Sequence, residues 1–123
     1  MGLVLVQVVI VPEAGGTPPP VGAPVRVELR DTSLADGPSR LVAAVETTFE
    51  RTGSGVAAHA ALDVDDDVFT PRTDVTVWAR SPAAGSADRR RVAAGDWITM
   101  ESYPVRQRDD GHDELEVTVR RVG

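Results

Sequence analysis

With 123 residues, 41% of them apolar and 26% charged, the chain is long enough for one domain and one core and too apolar for disorder throughout. Nineteen acidic groups against 13 basic ones give a formal charge of −6, which argues against a nucleic-acid or anionic-membrane partner. Cysteine is absent, so the sequence as given has no disulfide, no thiolate chemistry, no cysteine-bound metal and no lipidated N-terminal cysteine.

The first predicted element is an apolar run over residues 3–11. Leu3, Leu5, Val9 and Val11 fall on one face and Val4, Val6, Val8 and Ile10 on the other, with Gln7 as the interruption. A strand that is apolar on both faces must be covered on both, as a central strand or one packed against a partner. Leu3, Val4, Leu5, Val6, Val8 and Ile10 are therefore a candidate interaction surface, for a protein partner or for a second copy in a homodimer. The run lacks a basic leader, a small-residue cleavage site and the length to span a bilayer, so direct membrane insertion is not expected and the chain as given reads as cytoplasmic. Residues 15–24 form a proline-rich loop whose Pro18-Pro19-Pro20 favours an extended polyproline conformation. Gly15-Gly16 within it lacks the Gly-Lys-Ser/Thr ending of a phosphate-cradling loop.

Val25, Val27 and Leu29 alternate with Arg26, Glu28 and Arg30, the period of two of a half-buried strand. Asp31 ends it, and its carboxylate is placed to accept a backbone N–H two residues on, from Ser33, turning the chain. Both residues are read as structural. Residues 41–49 hold two adjacent alanines compatible with a helix, but Thr47, Thr48 and Phe49 favour a strand. Val56, Ala58, Ala60, Leu62 and Val64 give another alternating strand, running into Asp63, Asp65, Asp66 and Asp67. Those carboxylates could in principle gather a hard cation, but they lack the glycine and distal glutamate of a helix-loop-helix calcium site, and a solvated strand end is the better reading. No metal or other cofactor is expected.

Val75, Val77 and Ala79 share a face in the next strand, and Trp78 stands out of phase with them, which makes it a candidate stacking residue for a sugar or small ligand. Arg89-Arg90-Arg91 reads as a solvated hairpin tip. Residues 96–107 read as one long strand with Trp97, Tyr103 and Val105 in phase. Asp110-Gly111 is a tight-turn dipeptide, and Leu115, Val117 and Val119 alternate in a last strand. His59 and His112 read as exposed, and Gly53-Ser54-Gly55 lacks the spacing of a nucleophile elbow, so no catalytic residues are assigned.

About seven short strands separated by turn chemistry predict an all-β chain: a single antiparallel β-sandwich domain over residues 1–123, immunoglobulin- or transthyretin-like.

The segment VRVELRDTSLADGP followed by LVAAVETTF resembles the YbaY/YscW family. These are small bacterial envelope lipoproteins that include pilotin-like chaperones of type III secretion secretins. Val25, Val27, Leu29, Asp31, Ser33, Ala35 and Asp36 match its pattern; LDVDDDVFTPRTDVTVWAR resembles its acidic turn and following strand, and Tyr103-Pro104-Val105 its Tyr-Pro-Val. The resemblance implies a non-enzymatic module in the envelope that binds a protein partner through strand edges or an apolar face. Two alternatives are a sugar-binding sandwich and a transthyretin-like hydrolase, the latter poorly matched by two histidines and an Arg-Arg-Val-Gly end.

Overall fold

The computed structural model describes residues 2–15, 17–33, 39–53, 55–70, 73–82, 94–105 and 112–123. Nine strands are present among them: β1 (Leu3–Pro12), β2 (Pro24–Asp31), β3 (Arg40–Thr48), β4 (Glu50–Arg51), β5 (Val56–Asp65), β6 (Val75–Ser81), β7 (Trp97–Thr99), β8 (Tyr103–Pro104) and β9 (His112–Arg121). A 3-10 turn, Asp66–Val68, follows β5. The expected residues Ala35, Asp36, Ser54, Arg89-Arg90-Arg91 and Asp110-Gly111 lie outside the described residues.

All nine strands belong to one continuous sheet in the order β3-β2-β6-β7-β9-β1-β5-β4, with β8 also on β6. The sheet curls until its two ends meet: β3 runs through Phe49 into β4, β4 pairs with β5, and β3 packs against β5 without forming a ladder with it. The result is a nearly closed barrel and not the two-sheet sandwich expected from strand spacing. The pairing is not purely antiparallel either, because β1 runs parallel to β9, from Leu5 beside His112 to Pro12 beside Val119.

Alternation decides what fills the interior. Val4, Val6, Val8 and Ile10 of β1, Val25, Val27 and Leu29 of β2, Ala58, Ala60, Leu62 and Val64 of β5, Val75, Val77 and Ala79 of β6 and Val117 and Val119 of β9 are all buried. Apart from Leu29 and Leu62 these are alanine or β-branched side chains, which suits a narrow barrel whose opposite walls must interdigitate. Phe49, fully buried, is the largest plug, placed where β3 gives way to β4. The proline-rich loop holds it there: the Gly22 N–H donates to the Phe49 carbonyl at 2.7 Å and the Phe49 N–H donates to the Ala23 carbonyl at 3.0 Å. Gly22 has φ +89, a left-handed conformation that glycine adopts without a Cβ penalty.

Residues 96–107 do not form one strand. β7 pairs with β6 and β9 and then stops at Thr99; after a three-residue detour with Met100 exposed, β8 pairs with β6 at Tyr103 and Pro104. Side-chain oxygens cover the interrupted ladders. The Tyr103 hydroxyl accepts the Thr118 N–H at 3.1 Å, one step beyond the last β7–β9 pair, and the Thr99 hydroxyl accepts the Ala79 N–H at 3.3 Å, one step beyond the last β6–β7 pair. Nearby, fully buried Asp96 accepts from Arg80 Nη2 at 3.0 Å. Removing Arg80 would take the 3.0 Å counter-charge from a carboxylate buried in the wall.

Candidate protein-interaction site

The strand expected to offer an interaction surface divides sharply by face. Val4, Val6, Val8 and Ile10 lie inside the barrel at 0–1% exposure and cannot meet a partner. Leu3 and Leu5 point outward, Leu3 64% exposed and Leu5 half-covered. β1 is not an edge strand, since β5 and β9 flank it along its length. Its outer face is the part of the expected surface that remains available.

An edge without a ladder lies instead along β3, at one end of the sheet, which is paired with β2 on one side and only packed beside β5 on the other. Ala43, Val45 and Thr47 stand opposite Leu29, Val27 and Val25, on the face that looks into the core. A bulge alters the register: Leu29 pairs with Ala43 but Arg30 with Leu41, leaving Val42 as the extra residue. Val42 and Ala43 then both pack toward the core and Leu41 turns outward at 46% exposure. No β3 residue is fully buried, in contrast to the rows it faces on β2 and β5. The barrel is thinly covered along this seam, and β3 carries only Arg40 and Glu46 as charges and no proline, which leaves the bulge as its main defence against pairing with another strand.

On the outer face of β2 and β6, Glu28 receives Arg30 Nε and Arg26 Nε, each at 3.0 Å. Burial pushes the Glu28 carboxyl up, but the hydrogen bonds and charges of Arg30 and Arg26 outweigh it and hold the group below the ordinary glutamate range. Trp78 stands directly across from Glu28, 44% exposed, with its indole N–H donating to Thr76 Oγ1 at 3.0 Å. At the end of β2, Asp31 Oδ1 accepts the Ser33 N–H at 3.0 Å, and the Thr32 N–H donates to the Asp74 carbonyl at 2.8 Å, tying the turn to the start of β6. The side-chain and backbone hydrogen bonds from Ser33 hold the Asp31 carboxyl below the ordinary aspartate range.

The remaining candidates are dispersed. His59 is exposed on β5, opposite Val9 of β1; His112 opens β9 and pairs with Leu5 on the other side of β1. Asp63 and Asp65 are exposed on β5, while Asp66 and Asp67 sit in the 3-10 turn, where the Asp66 N–H donates to the Gly2 carbonyl at 2.9 Å. Among the described residues no group of three or more His, Asp or Glu is arranged to hold a metal ion, and no helix is long and apolar enough to cross a membrane. The β3 edge escaped sequence reasoning because its apolar residues read like any other half-buried strand; its sparse charge was the signal to follow.

No protein-family model matches the chain, and no curated protein matches it. A solved structure does match: an alternative pilotin from the type II secretion system of Vibrio cholerae, with a TM-score of 0.72 and 21% sequence identity over 98% of each chain. From first strand to last, this chain has the fold of that secretion-system pilotin.

Proposed function

We propose that this protein is a non-enzymatic accessory protein of a bacterial secretion apparatus, working in the envelope by binding a protein partner. The observation that carries the reading is the end-to-end fold match to a secretion pilotin, 98% of both chains. The partner class is a secretin, as the YbaY/YscW resemblance implies. The binding route is strand addition at the seam: the free β3 edge supplies main-chain hydrogen bonds, and the half-buried Val42, Ala43 and Val45 supply an apolar row that an added strand would cover. A homodimer through the same edge would use the same chemistry.

The test is to mix the purified protein with the purified secretin of the organism that produces it and follow complex formation by light scattering and calorimetry. A stoichiometric complex at micromolar concentration, lost in Val45→Asp, is expected. No complex at 100-fold higher concentration, with the partner folded, would remove the reading. A second reading is favoured by one observation: Trp78 is exposed on the outer face of the sheet with its indole N–H held by Thr76, and an exposed aromatic can stack on a sugar. Glycan-array binding abolished by Trp78→Ala would establish it, and an array without hits would dismiss it.

A further inference from the structure

The outer face of β5, β1 and β9 takes no part in strand addition at the seam, yet it has a pronounced pattern. Its middle row is apolar: Leu3 is exposed and Leu5, Val9 and Val11 are half-covered, with Gln7 among them. Its flanking rows carry four carboxylates, with His59 opposite Val9 on the β5 side. Asp65 pairs with Leu3 and Asp63 with Leu5 on the β5 side, and Glu114 pairs with Gln7 and Glu116 with Val9 on the β9 side. The small Ala61 beside Gln7 lowers the floor into an open concavity of about 570 Å³. Among the described residues Arg120 is the one guanidinium on these three outward rows, and Glu13 already engages it at 2.9 Å. Among the described residues, no ion pair or side-chain hydrogen bond joins Asp63, Asp65 or Glu116 to a cation.

The chemistry of the cover follows. An apolar row on an exposed sheet face gains by being covered. A neutral or acidic cover would desolvate or crowd the carboxylates on both sides. A cover with cations flanking its apolar residues meets both requirements, and like-charged partners are rejected by the same arrangement. The acidic rows lie two strand spacings apart, about 10 Å, so an apolar row seated on β1 brings flanking Lys or Arg side chains within reach of each.

We infer that this face docks a segment of a protein partner whose apolar residues are flanked by Lys or Arg. The inference rests on the reading of the chain as a protein-binding module and names the partner's chemistry; it does not depend on the seam. The experiment titrates the intact, isotope-labelled protein with a Leu/Lys amphipathic peptide and with its Leu/Glu counterpart, followed by amide chemical shifts. Shifts centred on Leu5, Gln7, Val9, Asp63 and Glu116 with the Leu/Lys peptide alone are expected. Binding should weaken about tenfold between 0.05 and 0.5 M salt as the charges are screened, and about tenfold in Asp63→Lys/Glu116→Lys. Glu46→Lys, a single charge reversal on the outer face of β3, should leave it unchanged. Equal binding of both peptides, shifts spread over other faces, or full binding by the reversal variant would overturn the inference. Against the purified secretin, a reversal variant with unchanged affinity overturns this assignment and leaves the seam standing. Loss of secretin binding in the reversal variant but not in Val45→Asp supports this face and sinks the seam.

Discussion

Phe49→Ala tests the barrel most severely. Phe49 is fully buried where β3 meets β4, and the proline-rich loop holds its backbone through two hydrogen bonds, so the chain there cannot shift freely into the space its ring leaves. A phenylalanine truncated in such a site costs about 3–5 kcal/mol through lost transfer energy and the residual cavity. For 123 residues, an unfolding entropy of about 2.1 cal/mol/K per residue gives about 0.26 kcal/mol/K in total. The variant should therefore melt about 12–20 °C lower. Trp78 is larger, but it lies 44% exposed on the outer face and forfeits one hydrogen bond to Thr76. Trp78→Ala should cost about 1 kcal/mol, or about 4 °C. Calorimetric melting of both variants at neutral pH decides the matter. A larger loss for Trp78→Ala than for Phe49→Ala would refute the placement of the barrel's plug.

Other outcomes follow from individual contacts. Arg80→Ala leaves the fully buried Asp96 carboxylate without its 3.0 Å partner and should cost about 3 kcal/mol, whereas a charge-neutral pair in Arg80→Met/Asp96→Leu should recover much of the loss; urea unfolding measures both. Tyr103→Phe removes the hydroxyl that accepts the Thr118 N–H and should cost about 1 kcal/mol, with faster hydrogen exchange at that one amide. Asp31→Ala should lower the melting temperature by a few degrees at pH 7. Because the hydrogen bonds from Ser33 depress the Asp31 pKa on folding, the stability they add is complete above the unfolded aspartate value and is lost as the pH falls through the lower folded value. The gap between wild type and Asp31→Ala should thus be full at pH 6 and close on acidification below pH 4; a gap that widens in acid would contradict the contact.

How far the fold could be read from the chain depended on what each residue pattern encodes. Period-two alternation identifies faces, so Val25, Val27 and Leu29, the β5 row and Val75, Val77 and Ala79 could be read directly as the inner wall, and Trp78 as outward. The local Asp31–Ser33 contact was legible for the same reason: donor and acceptor are two residues apart. Alternation says nothing about which strands pair. The parallel β1–β9 ladder joins residues more than 100 positions apart, and closure of the barrel hangs on Phe49 and on the clamp from Gly22 and Ala23. β1 was the hardest case, since both of its faces are apolar. Only its neighbours settle which face turns inward, and the acidic residues beside Leu3, Leu5, Gln7 and Val9 become a surface only once β5 and β9 stand on either side. The 96–107 segment misled because Trp97, Tyr103 and Val105 keep phase across a break that Tyr103 itself bridges.

Hydrogen–deuterium exchange of the β3 amides, residues 40–48, with and without the purified secretin tests the central claim most directly. Strand addition at the seam predicts that β3 amides pointing to the open edge slow at least tenfold on binding while those of β6, already paired on both sides, hold their rates. A bound complex that leaves β3 exchanging as fast as in the free protein would contradict it.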